Sequence, residues 1–124
     1  MWSMTMGETR ISLRLLGPRG DAKVEMLVDT GSTLTKIPRS VASKIGIAPR
    51  YKAEVELADG RVIERDVSEA VAEFNDITNT IPLLIGPDGE EPLLGLTTLE
   101  VFRLKVNPVT QKLEPARFIE YALT

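Results

Sequence analysis

"EMLVDTGSTLTKIP", residues 25–38, is the stretch on which the reading of this chain turns. Apolar side chains run up to Val28, and then Asp29, Thr30, Gly31 and Ser32 follow at once. An aspartate at the end of a strand bound for the core costs free energy unless something satisfies it or uses it. The triplet Asp-Thr-Gly alone is ordinary turn material, because Asp and Gly suit turns. Its setting sharpens it: an apolar strand end precedes it, a serine follows it, and a second motif, Leu93-Leu94-Gly95 within "PLLGLTTL", lies well downstream.

Upstream, residues 9–15 (TRISLRL) alternate, so Ile11, Leu13 and Leu15 share one face. GPRGD then reads as a turn. Residues 22–28 (AKVEMLV) alternate until Met26, Leu27 and Val28, where lost alternation predicts cover on both faces. The two runs predict a hairpin. Downstream, residues 38–46 (PRSVASKIG) predict a short helix with Pro38 in its first turn, Val41 and Ile45 on one face, and Gly46 ending it in a left-handed conformation.

Residues 51–67 hold two alternating runs around Ala58-Asp59-Gly60, and Asp-Gly between such runs signals a hairpin. Residues 68–74 (SEAVAEF) fit a continued strand or a helix. NDITNT breaks the pattern, IPLLI is short and apolar, and GPDGEEP is a loop. Residues 96–102 (LTTLEVF) open a short helix, with Thr97 as cap and Glu100 reaching back in a capping box. RLKV and LEPARF flank the turn NPVTQK and form a last hairpin. Most elements are short strands, so the expected fold is all-β, a small closed or sandwich-like arrangement with one or two short helices.

The length, 124 residues, suits one domain spanning 1–124. Neither Cys nor His is present, which excludes disulfides, Ser–His–Asp or Cys–His catalysis, and His-based zinc sites. A net charge of -3 with no basic block argues against a nucleic-acid partner. No apolar run reaches membrane-spanning length, and the start MWSMTMGETR lacks the features of a signal peptide, so a cytoplasmic protein with no membrane partner is expected. Trp2 and the nearby methionines form either a disordered tail or a surface packed on a partner.

The loop carboxylates Asp76, Asp88, Glu90 and Glu91 lack a dense Asp-x-Asp pattern, so solvated charge is expected rather than a metal. Gly86 and Gly89 have no Lys followed by Ser or Thr after them, so no phosphate loop is expected. Arg10, Arg14 and Lys23 alternate with apolar residues as the wet side of the first hairpin. Thr33, Thr35 and Lys36 either line a cleft or cap the next helix.

With both motifs in view, the sequence resembles the retropepsin-like branch of the aspartic proteases over roughly residues 9–115. The signature of that family is two apolar residues followed by Asp-Thr/Ser-Gly and Ser, Ala or Thr, matched by Leu27-Val28-Asp29-Thr30-Gly31-Ser32. Its second signature, two apolar residues and a glycine before a short helix, is matched by Leu93-Leu94-Gly95. The resemblance implies an acid-protease β-barrel with Asp29 as the catalytic aspartate. Thr30 would bond across the two active-site loops, Gly31 would let the carboxylate approach its twin, and Ser32 would bond the outer oxygen of the aspartate. Gly95 would be the close-packed glycine behind the catalytic loop. The hairpin at Ala58, Asp59 and Gly60 stands where the family carries its flap; an ordinary surface hairpin is the other reading. Residues 1–8 and 116–124 are tails or dimer-interface segments. Retroviral members carry Arg directly after the second glycine, where it helps hold the dimer; here the residue is Leu96.

The chemistry asks for two carboxyl groups, one to take a proton from water and one to donate toward the scissile carbonyl. Two carboxyls a few ångströms apart share one proton and titrate as a unit. This chain holds one Asp-Thr-Gly, so a two-fold homodimer would supply the twin. The expected function is an aspartic endopeptidase acting on extended peptide or protein substrates, with no metal and no cofactor. The alternatives are a catalytically silent relative serving as a dimerisation or peptide-binding module, and a structural β domain whose Asp29 is a satisfied turn residue.

Overall fold

The computed structural model describes residues 8–120. The expectations placed on residues 1–7, Trp2 among them, and on 121–124 lie outside the described residues. β1 (Arg10–Gly17) and β2 (Gly20–Val28) pair antiparallel from Arg10↔Leu27 to Gly17↔Gly20. The turn between them is therefore tighter than the five-residue stretch GPRGD. β3 (Thr35–Pro38) leads straight into α1 (Arg39–Ile45), with Pro38 as the capping residue and Gly46 closing the helix at φ 83°. β4 (Tyr51–Glu56), β5 (Val62–Phe74) and β6 (Ile77–Gly86) form an antiparallel meander. The two-residue β7 (Leu93–Leu94), α2 (Leu96–Val101), β8 (Leu104–Val106) and β9 (Leu113–Pro115) complete the described elements.

The strands are ordered β1-β2-β7-β3-β6-β5-β4, and β1 pairs again with β5 at Leu15↔Ala72. Six strands thus close into a ring, with β4 outside it. Each of the six has a neighbour on both sides, although β2 meets β7 only at Leu27 and Val28 and β1 meets β5 only at Arg14–Leu16. Side chains at alternate positions fill the interior. Leu13, Leu15, Val24 and Met26 from the first hairpin meet Ala70, Ala72, Ile81, Leu83 and Ile85 from β5 and β6, together with Ile37 and Leu94. Each fully buried Leu or Ile stabilises the fold by about 1.5–3 kcal/mol. Ala42 and Ile45 cover one side from α1, and Leu99 and Phe102 another from the α2 segment. Phe102 meets Phe74 edge-on, with ring centres 6.4 Å apart.

One open alternative is settled and two local expectations are corrected. SEAVAEF continues as a strand, because Ala70 and Ala72 are small enough to sit inside the closed ring, where helical residues would have no partner strand. NDITNT does not break the sheet throughout: Asn75 and Asp76 make a two-residue turn with φ 51° and 65°, and Ile77–Thr80 already belong to β6. Asn and Asp tolerate that left-handed conformation, which suits a tight hairpin. Finally, α2 has no capping box. Its N-cap is Gly95 with no side-chain cap, because the amides of Leu96 and Thr97 donate to the carbonyls of Ser32 and Thr33 at 2.8 and 3.0 Å.

Candidate active site

Asp29 stands where β2 leaves the ring. The parallel ladder with β7 carries on past the strand end, since the Asp29 amide donates to Leu94 O at 2.9 Å. On the other side, the Val28 amide donates to Thr9 O at 2.7 Å. A tight turn follows, with the Ser32 amide bonded to Asp29 O at 3.1 Å. It folds the next residues back onto the carboxylate. Oδ1 accepts the Gly31 amide at 3.0 Å and Oδ2 accepts the Ser32 hydroxyl at 3.0 Å. Both oxygens are thereby fixed in direction while the side chain stays half-buried at the surface of this chain. A Cβ on residue 31 would lie 3.2 Å from Oδ1, so glycine leaves the carboxylate its room. Thr30 is exposed at the tip of the turn, and its hydroxyl has no partner among the described residues.

The loop is clamped from behind. Gly95 packs so closely that a Cβ there would lie 2.5 Å from both C and O of Leu34 and 2.9 Å from Ser32 O. Its amide donates to Thr35 Oγ1 at 3.1 Å, and Thr35 Oγ1 meets Thr98 Oγ1 at 2.7 Å, both side chains being fully buried. Thr35 therefore neither lines a cleft nor caps the next helix. Its alternation with Ile37 is the sequence signal that places it inward. Thr98, next to the buried Leu99, carries no comparable signal in the sequence.

The opposite face of the sheet forms a half-buried surface next to this loop. Directly paired residues share a face, and Lys36 pairs with both Leu84 and Leu93, while Leu93 pairs with Leu27. All four are partly covered rather than buried. Beyond Leu84 the same face continues through Val67 to Arg65, Ile63, Ala53 and Val55 on the β4–β5 hairpin. That hairpin projects past the ring, since residues 62–65 of β5 pair only with β4 among the described residues. Its exposure alternates, with Ala53, Val55, Ile63 and Arg65 half-covered and Lys52, Glu54, Glu56 and Val62 exposed. Ala58, Asp59 and Gly60 lie at its tip. Gly60 has φ 88°, its amide donates to Leu57 O at 2.9 Å, and Asp59 accepts the Arg61 amide at 3.0 Å and its Nε at 2.7 Å. The Arg61 amide, followed by its side chain, holds the Asp59 carboxyl below its ordinary value.

The remaining polar groups form ion pairs and hydrogen bonds around the sheet. Asp88 accepts the Ser40 amide at 2.8 Å at the start of α1, and that bond lowers its pKa. Arg14 pairs with Asp21 and Glu73, Arg10 pairs with Glu91, and Asp66 holds both Arg39 and Lys52. Glu90 binds Lys36 and Arg65 together, each at 2.7 Å, and the hydrogen bond from Lys36 is the main reason its pKa is lowered. Among the described residues, no three acidic side chains come together as a metal site. No described helix is long and apolar enough to cross a membrane.

Comparison with known proteins bears on this geometry. Residues 19–101 match a family described as "gag-polyprotein putative aspartyl protease". In solved structures, the chain is similar to the equine infectious anaemia virus (EIAV) protease in complex with the inhibitor HBY-793, at 13% identity, TM-score 0.63, covering 82% of this chain and 93% of that one. It is also similar to the simian foamy virus protease, at 16% identity, TM-score 0.54, covering 74% and 92%. A foamy viral protease-reverse transcriptase bound to an RNA/DNA hybrid matches at 12% identity and TM-score 0.55, over 92% of this chain and 13% of that one. At such identities the likeness is one of fold. No curated protein matches the chain in sequence.

Proposed function

Because this chain belongs to the gag-polyprotein aspartyl protease family, we propose that it is an aspartic endopeptidase whose active site forms between two copies of Asp29. The single observation that carries this is the Asp29 carboxylate, oriented by the Gly31 amide and the Ser32 hydroxyl at the surface of one protomer. A turn that merely satisfied an aspartate would have no need of a glycine pressed against Oδ1 or of a clamp through Gly95. Across a two-fold axis the partner's carboxylate would complete the acid–base pair. One carboxylate takes a proton from a water as its oxygen attacks the scissile carbon. The other gives its proton to the carbonyl oxygen; the tetrahedral intermediate then collapses as the first carboxyl passes its proton to the departing amine nitrogen and a hydroxyl of the intermediate returns a proton to the second carboxylate. Thr30, exposed beside Asp29, would bond the partner's loop.

An extended peptide would lie along the half-buried face of Leu27, Leu93 and Leu84, under the β4–β5 hairpin acting as flap. The test compares the protein with Asp29→Asn on a diverse peptide library from mildly acidic to neutral pH, with the oligomeric state measured alongside. Cleavage by the dimer, lost in the variant while the dimer persists, is the expected result. A dimer that cuts nothing would favour the silent module, a reading that Leu96, 41% exposed where retroviral members carry Arg, keeps in play. A strict monomer would overturn the shared site.

A further inference from the structure

Lys36 and Arg65 carry positive charge into the same half-buried face. Their side chains are only 16% and 14% exposed, and both donate to one oxygen, Glu90 Oε1, at 2.7 Å. Among the described residues no other carboxylate pairs with either. Two cations against one carboxylate leave one positive charge over, held where water screens it poorly. Glu90 itself is 39% exposed and sits on the 87–92 loop, at the rim of the cluster and outside the regular strands.

The register places this charge in the path of a bound peptide. Lys36 lies between Leu84 and Leu93, Leu93 pairs with Leu27, and Asp29 stands two residues beyond Leu27. Arg65 continues the face onto the hairpin. The Lys36 stem is fixed over Gly86, where a Cβ would lie 3.0 Å from its Cδ, so the ammonium is aimed rather than free to wander.

The geometry points to a specificity pocket for an acidic side chain: Lys36 and Arg65 receive the carboxylate of a Glu or Asp in the substrate peptide, near the bond that is cut. Glu90 is the resident anion that holds the pocket open and competes weakly for it. The inference rests on the reading of Asp29 as the catalytic aspartate. A charge-assisted hydrogen bond from a half-buried cation is strong enough to favour Glu over its uncharged isostere by about tenfold.

Matched peptide libraries, differing only in Glu or Gln at successive positions, test this in two ways: by cleavage with the unaltered protein, and by binding of fluorescent peptides to Asp29→Asn. At one position Glu should be preferred about tenfold in both. Lys36→Met, which keeps the stem over Gly86, and Arg65→Met should each bring the ratio toward one, while Glu90→Gln should raise it. Equal handling of Glu and Gln at every position in both assays would overturn the pocket, and if cleavage persists the protease reading survives. Acid preference in binding with no cleavage by any protein would support the pocket and remove the protease reading.

Discussion

The hydroxyls of Thr35 and Thr98 meet at 2.7 Å inside the protein, and Thr35 also accepts the amide of Gly95 at 3.1 Å. This pair ties β3, the end of β7 and the start of α2 into one unit behind the Asp29 loop. Thr35→Val keeps the shape but leaves the Gly95 amide and the Thr98 hydroxyl without a partner, which costs about 1–3 kcal/mol. Thr98→Val strands only one hydroxyl contact and should cost about 1 kcal/mol. Urea unfolding of both variants and of the double variant should rank them in that order, with the double costing less than the sum of the singles.

Gly95→Ala places a methyl group 2.5 Å from the backbone of Leu34, which no side-chain rotation relieves. The expected loss is at least about 1–3 kcal/mol, the usual range for overpacking. Displacement of residues 32–34 should also abolish cleavage at temperatures where the protein remains folded. Thermal unfolding and peptide cleavage, measured together, check both halves.

Ser32→Ala removes the donor to Asp29 Oδ2 and little else, since the backbone bonds of residue 32 remain. The carboxylate gains rotational freedom, and kcat should fall about tenfold, the scale of one hydrogen bond to a charged group. Stability and oligomeric state should not move. An unchanged kcat would mean that Gly31 alone orients the carboxylate.

Gly60→Ala puts a side chain at φ 88°, where only glycine is unstrained, though the space around it is open. The local cost is about 1 kcal/mol. A cost of that size lowers the melting temperature by only about 2–8 °C, whereas kcat/KM for peptides should fall by more than that loss explains, which is the signature of a flap. An unchanged kcat/KM would leave the tip as an ordinary surface turn.

Acid should unfold the protein through particular carboxylates. Hydrogen bonds from Lys52 and Arg39 hold Asp66 below its ordinary 3.8, and the bond from Lys36 holds Glu90 below 4.5. A carboxylate with a depressed native value stabilises the fold above its unfolded value and loses that contribution as pH falls through the native one. The melting temperature should therefore be flat with respect to these groups above about pH 5 and decline below about pH 4. Asp66→Asn should flatten part of that decline, as read by calorimetry across pH.

Much of this molecule is written locally. The alternation of residues 9–15 and 22–28 put Leu13, Leu15, Val24 and Met26 inside, and the Asp-Gly pair at 59–60 marked a hairpin tip, because strand period and turn conformation depend on neighbours in the chain. Leu93-Leu94-Gly95 was equally visible, as a match to a known pattern. The ambiguous segments were those whose local preferences conflict. Ala70 and Ala72 favour helix by propensity, and only the closed ring, with room for small side chains, makes them strand.

What the sequence determined by itself was the hairpins over residues 9–28 and 51–67, the apolar face of the first, and the presence of an aspartate between an apolar strand end and a glycine. Tertiary structure alone decided that Thr35 meets Thr98 across 63 residues, that the start of α2 is capped by the Asp29 loop and not by its own side chains, and that Lys36, Arg65 and Glu90 converge. Periodicity along a chain reports which way a side chain faces. Which distant side chain it meets depends on strand order and register, and these are set by closing the sheet on itself.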